Sequence, residues 1–309
     1  MTVSVITVKE DMSTAEYTDI LSFSFRKNAY IPYTQLSVRF VTPTGVIPHA
    51  AEVKLVIDSN TVHHGLIDTL ETRTHASKNI HTITSTGFTS LLCRNQIEPG
   101  LKPNISLNSL MDSFYTLPYV THENNTDSSN YIYVKNNSSM WDAVANLSYK
   151  LLGTYPYIRE TNKVMITPFT APTTFTFNTS EEIVLGQGVS YRRLISNYHM
   201  ADINGEYGTY DLEDTDVLQK KIVRHEYFDL DRRFLHDPQQ ALAYRDKFDS
   251  RESRFAYIEY CGYRGEDLFD KVAISPISTP SRITDIRIKG SDSRIITRLT
   301  YHTDKFPKN

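Results

Sequence analysis

Hydrophobic positions along this chain recur mostly at a spacing of two. Val3–Val8 alternates, and Asp19–Arg26 does so more fully, with Ile20, Leu21, Phe23 and Phe25 interleaved by Ser22 and Ser24. Such alternation sends successive side chains to opposite faces, the mark of a half-buried strand. Leu36–Val41, Val53–Ile57, Thr61–Thr74 and Ile80–Ser85 continue the pattern, with Asp58-Ser59-Asn60 as a turn. Gly65 interrupts the longest run, which predicts a bulge or a close backbone approach. Gly87-Phe88-Thr89-Ser90-Leu91-Leu92 closes this part. About six short strands with no helix of note predict a small barrel or sandwich over residues 1–92.

The spacing then changes. Met140, Val144, Leu147 and Leu151 fall on one helical face, and Trp141, Ala145 and Leu152 widen it. Ser139 with Asp142 predicts a capping box, and Gly153 stops the helix in the left-handed conformation. Tyr155–Arg159 and Lys163–Pro168 then read as a hairpin turning at Thr161-Asn162. Upstream, Asn108 is placed to cap a short helix carrying Leu110, Met111, Phe114 and Tyr115, which Pro118 ends. Residues 93–168 therefore read as a middle α/β domain.

Strand character returns over 169–309. Phe169–Thr179, Val189–Leu194, Tyr198–Ile203, Val217–Val223, Phe255–Tyr260, Lys271–Ile274, Ser281–Ile288 and Arg294–Tyr301 carry it. Gly186-Gln187-Gly188 reads as a turn, and the acidic run Asp211–Asp216 as a solvated loop tip. One helix interrupts near 237–251, capped by Asp237 with Pro238 at its first position and Ala241, Tyr244 and Phe248 on one face. The last two strands flank the loop Lys289–Ser293, with isoleucines on one face and charges on the other. The expected fold is mainly β with an α/β insert. No exact repeat of fixed period is present, which argues against a solenoid or propeller.

Composition sharpens this picture by exclusion. The 309 residues carry a formal charge of −3, with 39% apolar and 22% charged residues. No basic excess points to nucleic acid or an anionic membrane. Met1–Val5 lacks a signal-peptide layout, and no apolar run approaches the ~18 residues of a membrane span. Cys93 and Cys261 are too far apart for a local metal or redox pair and are expected as buried thiols. His63 and His64 are adjacent, so on a strand they face opposite ways and cannot chelate together. No nucleophile-elbow, phosphate-loop or dinucleotide motif occurs. Asp229 with Asp231, and Glu213 with Asp216, read as surface charge; Arg192-Arg193 and Arg232-Arg233 suit interface ion pairs. No catalytic, cofactor-binding or metal residue is assigned, no cofactor is expected, and a structural or assembly protein is favoured over an enzyme.

Three stretches carry a resemblance. Gly87–Leu92 resembles the segment closing the first barrel of baseplate hub proteins of contractile phage tails and phage-tail-like bacteriocins. Ser138–Leu147 with Gly153 and the following hairpin resembles their middle α/β unit, and Ser281–Lys289 with Arg294–His302 the end of their second barrel. The relatives are the late-control D-type and Gram-positive defective-prophage hubs. The resemblance implies two β-barrel, tube-like domains, 1–92 and 169–309, around the middle domain 93–168. It also implies a homotrimer whose barrels form a pseudo-six-fold ring, joining a hexameric tail tube to a trimeric central spike. Further implied partners are baseplate wedge and tube-initiator proteins and a tape measure protein, with DNA only as channel cargo and no membrane insertion by the chain itself. The chain would assemble in the bacterial cytoplasm and reside in the baseplate of a virion or tail-like particle. One competing reading is a tail-associated carbohydrate-binding protein or glycosidase, with Tyr155, Tyr157, Trp141 and carboxylates near Asp229 along a groove. Another is a distal tail or tube protein.

Overall fold

The computed structural model describes residues 2–45, 48–113, 117–180, 183–230, 238–275 and 280–302. The first segment supplies β1 (Val3–Val8), β2 (Thr14–Tyr17), β3 (Ile20–Asn28), β4 (Gln35–Pro43), β5 (Glu52–Ile57), β6 (Asn60–His75) and β7 (Lys78–Gly87). A single 3-10 turn, Phe88–Ser90, leads into α1 (Leu91–Arg94). The middle segment holds β8 (Gly100–Ser106), α2 (Leu107–Asp112), β9 (Thr121–His122), β10 (Ser128–Val134), α3 (Met140–Leu152), β11 (Tyr157–Arg159) and β12 (Lys163–Met165). The last begins with β13 (Thr174–Asn178), β14 (Ile183–Val189), β15 (Asn197–Met200), β16 (Tyr210–Glu213), α4 (Thr215–Gln219) and β17 (His225–Phe228). It ends with α5 (Pro238–Ser250), β18 (Arg254–Cys261), β19 (Lys271–Ser275), β20 (Ser281–Arg282), β21 (Asp285–Gly290) and β22 (Ile295–His302). The protein is mainly β, as expected.

One antiparallel sheet of eleven strands runs through the molecule in the order β14-β18-β22-β21-β3-β4-β7-β6-β5-β1-β2. First and last segments meet where β21 pairs with β3, opposing Ile288 to Phe25 and Ile286 to Lys27. Alternation decides which face is inside: Leu36, Val38 and Phe40 of β4 are buried while Gln35, Ser37 and Arg39 are exposed. The buried faces of both segments form one core, containing Val5, Phe25, Phe40, Leu55 and Ile83 with Ile258, Ile286 and Leu299. The sheet curls at one end, so that Tyr17 on β2 meets Phe40 on β4 with ring centroids 4.5 Å apart. Among the described residues its hydrogen-bonded order nevertheless remains open, with β14 and β2 at its edges.

The middle segment has its own core, built by Leu92, Leu107, Ile132, Trp141, Val144, Leu147 and Val164. α3 forms as its sequence directs. The Ser139 and Asp142 side chains cap one another's backbone, and Gly153 ends the helix at φ +66°. Ala143, Asn146 and Ser148 are buried too, so α3 is enclosed beyond its apolar stripe, whereas Leu152 is exposed.

Several local expectations are corrected. Gly186 and Gly188 lie within strand β14, not in a turn. They are directly opposite Tyr257 and Phe255, whose rings lie over the glycine backbone; a Cβ on Gly186 would stand 2.2 Å from the Tyr257 ring. The acidic run forms β16 and then the N-cap of α4, where the buried Asp214 carboxylate accepts the Val217 N–H at 3.1 Å. No strand forms over Val217–Val223: α4 (Thr215–Gln219) takes its first three residues, and a turn and irregular chain follow. Ser106, not Asn108, caps α2. Cys261 is exposed and Cys93 half-buried, both as free thiols. Gly65 does mark a close approach, since a Cβ there would meet the Thr86 carbonyl at 2.2 Å. The expected Asp237 cap, Phe114, Tyr115, Asp231 and the Arg232-Arg233 doublet lie outside the described residues.

Candidate functional site

The tip of the β11–β12 hairpin is where the three segments converge. Glu160 takes a left-handed φ of +54°, which folds the turn tightly enough to insert. Lys27 of β3, 5% exposed, reaches this tip and donates to the Glu160 carbonyl and the Asp267 carboxylate. The same carboxylate accepts the Glu160 N–H at 2.7 Å and faces Arg159 Nε at 3.8 Å. Arg159 also contacts Asp270 at 3.3 Å and lies over the Phe169 ring at 3.5 Å. On the other flank Asn162 is buried, donating to the His64 carbonyl at 3.0 Å and accepting the Thr89 N–H at 3.3 Å. Burial pushes the Lys27 ammonium pKa down and the neighbouring Asp267 pulls it back up. Charges taken out of water persist only when paired and hydrogen-bonded, so this network ties three segments into one geometry.

Beside the network lies a cleft of about 420 Å³ lined by Lys27, Glu160, Tyr263 and Glu266 together with Val62 and Ile286. Glu266 accepts from the Tyr260 hydroxyl, and burial raises its pKa. Each charged group here has a protein partner in the network, so the cluster reads as a joint.

The residues of chemical interest are scattered. His63 is fully buried between Thr34 and Ser85, each 2.8 Å from a ring nitrogen, and burial lowers its pKa to about 3. His64 contacts Glu52 at 2.9 Å and packs on Phe88 and Tyr119. The two rings thus diverge, as strand geometry requires. Burial lifts the Cys93 thiol to about 11, which disfavours the nucleophilic thiolate. Arg193 pairs with Glu252 at 2.9 Å within the chain. Among the described residues, no group of three or more His, Cys, Asp or Glu side chains could hold a metal ion. Tyr157 lies in the core, its hydroxyl donating to the Thr167 carbonyl, and Trp141 is 4% exposed; neither is placed to stack on a sugar. No described helix is long and apolar enough to cross a membrane.

The surfaces that remain are edges and grooves. Edge strand β14 exposes Val184, Leu185 and Val189. A seven-residue edge with exposed valine and leucine invites pairing by another strand, because among the described residues its outer side has no sheet neighbour. The opposite edge, β2, is four residues long and carries Glu16 exposed. Sequence reading missed β14 because its glycines look like a turn. The signal that could have found it is the Phe255/Tyr257 pair, two aromatics at a spacing matching the two glycines. A second groove lies between α3 and α5. It is lined by Tyr149, Tyr155, Tyr244 and Phe248, with Asp142, Glu226 and Asp249 among them.

No protein-family model matches the chain, and no curated protein matches it in sequence. Its fold is nevertheless found in solved structures. A 43 kDa tail protein of prophage MuSo2 from Shewanella oneidensis superposes with a TM-score of 0.71 at 11% identity, covering 97% of this chain and 98% of that one. A tail protein from Neisseria meningitidis superposes with a TM-score of 0.70 at 12% identity, covering 97% and 96%. A component of the Escherichia coli type VI secretion system, described as structurally similar to the bacteriophage T4 tail proteins gp27 and gp5, gives 0.55 at 8% identity, covering 94% and 74%. The chain therefore has the fold of phage tail proteins from end to end.

Proposed function

We propose that this chain is a structural hub of a contractile-tail baseplate, a trimeric adaptor between a six-fold tail tube and a three-fold central spike. The observation that carries this reading is the end-to-end likeness to two tail proteins, one of them from a prophage, with almost no unmatched chain on either side. The topology supports it. A single sheet contains strands from residues 1–92 and from 169–309, joined by an antiparallel pair at β3–β21. An antiparallel pair is what a local two-fold relation between two similar halves produces. Each half would serve as one barrel-like unit, with 93–168 as the middle domain, and three chains would supply six units around a channel.

The two edges support the same reading. A β14 edge with exposed valine and leucine and a short polar edge at β2 are different surfaces, so copies joined edge to edge would form a head-to-tail ring, not a two-fold dimer. The function is then non-enzymatic: the chain presents interfaces, and the Lys27–Arg159–Asp267 joint fixes their relative orientation. Its partners would be the tail tube and spike proteins, then wedge, tube-initiator and tape measure proteins, with DNA only as passing cargo. Light scattering after size exclusion tests the trimer. A mass of three chains is expected, alone or on addition of the spike protein, and a single-chain mass under both conditions would reject the reading.

A further inference from the structure

Two imidazoles tie the same three strands together from inside the core. His63 of β6 has one ring nitrogen 2.8 Å from the Ser85 hydroxyl of β7. Its other ring nitrogen is 2.8 Å from the Thr34 hydroxyl, one residue before β4. His81 of β7 has one ring nitrogen 2.9 Å from the Thr72 hydroxyl of β6 and the other 2.7 Å from the Thr42 hydroxyl of β4. Each is a hydroxyl–imidazole–hydroxyl clasp across the sheet neighbours β4, β7 and β6. Both rings are wholly buried, with Thr34, Thr42 and Ser85 enclosed beside them. His63 lies edge-on to Phe25, and the His81 ring centroid is 5.1 Å from that of Phe40.

These surroundings suit only the neutral ring. A neutral imidazole has one N–H donor and one acceptor nitrogen, so one hydroxyl accepts from it and the other donates to it. A protonated ring donates from both nitrogens, and the hydroxyl proton that pointed at it must turn away. The charge would also meet no carboxylate. Leu55 of β5, Ser85 and Phe25 face His63, while Glu52, Lys54 and the His64 ring lie on the opposite side of the sheet. Phe40, Thr42 and Thr72 face His81, with Tyr17 beyond Phe40. Arg39, Glu71 and Arg73 hold the alternate positions, on the other side. A buried charge without a partner is costly. Burial accordingly lowers the pKa of both rings, that of His63 to about 3. His64 differs, because Glu52 stands 2.9 Å from its ring and can accept from the charged form.

We propose that the two clasps make one end of the large sheet acid-sensitive: protonation favours a state in which β6 parts from β7, taking with it β5, β1 and β2, which join the sheet through β6. The middle segment has its own core and contains neither clasp. The sign follows from linkage. A ring freed from the core takes its proton near the ordinary 6.5, whereas folded His63 does so only near about 3. The contribution of this clasp is therefore complete above about pH 6.5 and is lost progressively as pH falls from there toward about 3. From His63 alone, the open state gains about 30-fold on the closed state between pH 7.5 and pH 5. The buried carboxyls of Asp249 and Glu266 titrate in the opposite sense, so a local readout is needed. The proposal goes beyond the hub reading and does not depend on it.

Amide hydrogen exchange of the full chain, read by mass spectrometry at pH 7.5 and pH 5.0 and corrected for the intrinsic rate at each pH, tests it. Peptides from β6 and β7 should lose at least about 30-fold in protection at pH 5.0, and those from α3 less than about threefold. His63→Gln keeps a donor and an acceptor at this position but binds no proton, so the loss over β6 and β7 should shrink about tenfold or more. His81→Gln should reduce it in the same direction. Circular dichroism at pH 7.5 shows whether each variant is folded, and the comparison within the unaltered chain decides even if neither is. Equal losses over β6–β7 and α3, a loss over β6–β7 below about threefold, or an undiminished loss in a folded His63→Gln would overturn the proposal.

Discussion

Removing Asp267 should cost far more than removing the lysine it holds. The Lys27 and Asp267 side chains are 6% and 16% exposed, so their ion pair is shielded from water. Asp267→Ala leaves the Lys27 ammonium buried with the Glu160 carbonyl, and strips an acceptor from the backbone N–H groups of Glu160 and Leu268. An uncompensated buried charge costs about 3–5 kcal/mol. Lys27→Met keeps the apolar stem, and Asp267 retains both backbone donors, each at 2.7 Å, and the nearby Arg159. That loss should be about 0.5–1.5 kcal/mol, the worth of an ordinary hydrogen bond. The double variant has no stranded ammonium, so it should be more stable than Asp267→Ala alone by about 1–3 kcal/mol. Urea unfolding followed by Trp141 fluorescence measures this, comparing midpoints at a common slope. If Asp267→Ala is no worse than Lys27→Met, or if the two losses simply add, the network is not a buried charge joint.

Three other outcomes follow from the packing. Gly186→Val must displace the Tyr257 ring, over which the Arg298 guanidinium also lies at 3.5 Å; a loss of about 1–3 kcal/mol in thermal unfolding is expected, and none would show that the ring does not occupy that space. Asp249 binds its proton more tightly when folded, at about 6 against an ordinary 3.8. The folded state therefore holds more protons between those values, and this group's contribution to stability falls as pH rises from about 4 to about 6. Asp249→Asn should accordingly raise the melting temperature at pH 7.5 but not at pH 4, and an equal shift at both would contradict the assignment. Ellman's reagent should label one thiol per chain promptly, the exposed Cys261, and Cys93 only on unfolding.

What the sequence made legible is local. α3 could be read residue by residue, because its capping box, apolar spacing and terminal glycine all act within a few positions. The Gly65 approach and the turn between the last two strands were legible for the same reason, although Lys289 and Gly290 belong to β21 and the turn itself is Ser291–Arg294. Long-range placement was not. Nothing near Gly186 in the chain announces that Tyr257 will lie over it, so two glycines that make room for rings look like a turn. Nor does Lys27 differ from any surface lysine until β21, the middle hairpin and Asp267 are brought around it. The α3–α5 groove joins residues a hundred positions apart in chain order.

The hub reading is tested most directly by electron micrographs of the purified assembly, averaged down its axis. A ring with three-fold symmetry around a channel is expected, bearing six β lobes of two alternating kinds, with neighbouring chains meeting through the β14 edge. A ring with six identical subunits, or single-chain particles in the presence of the spike protein, would contradict it.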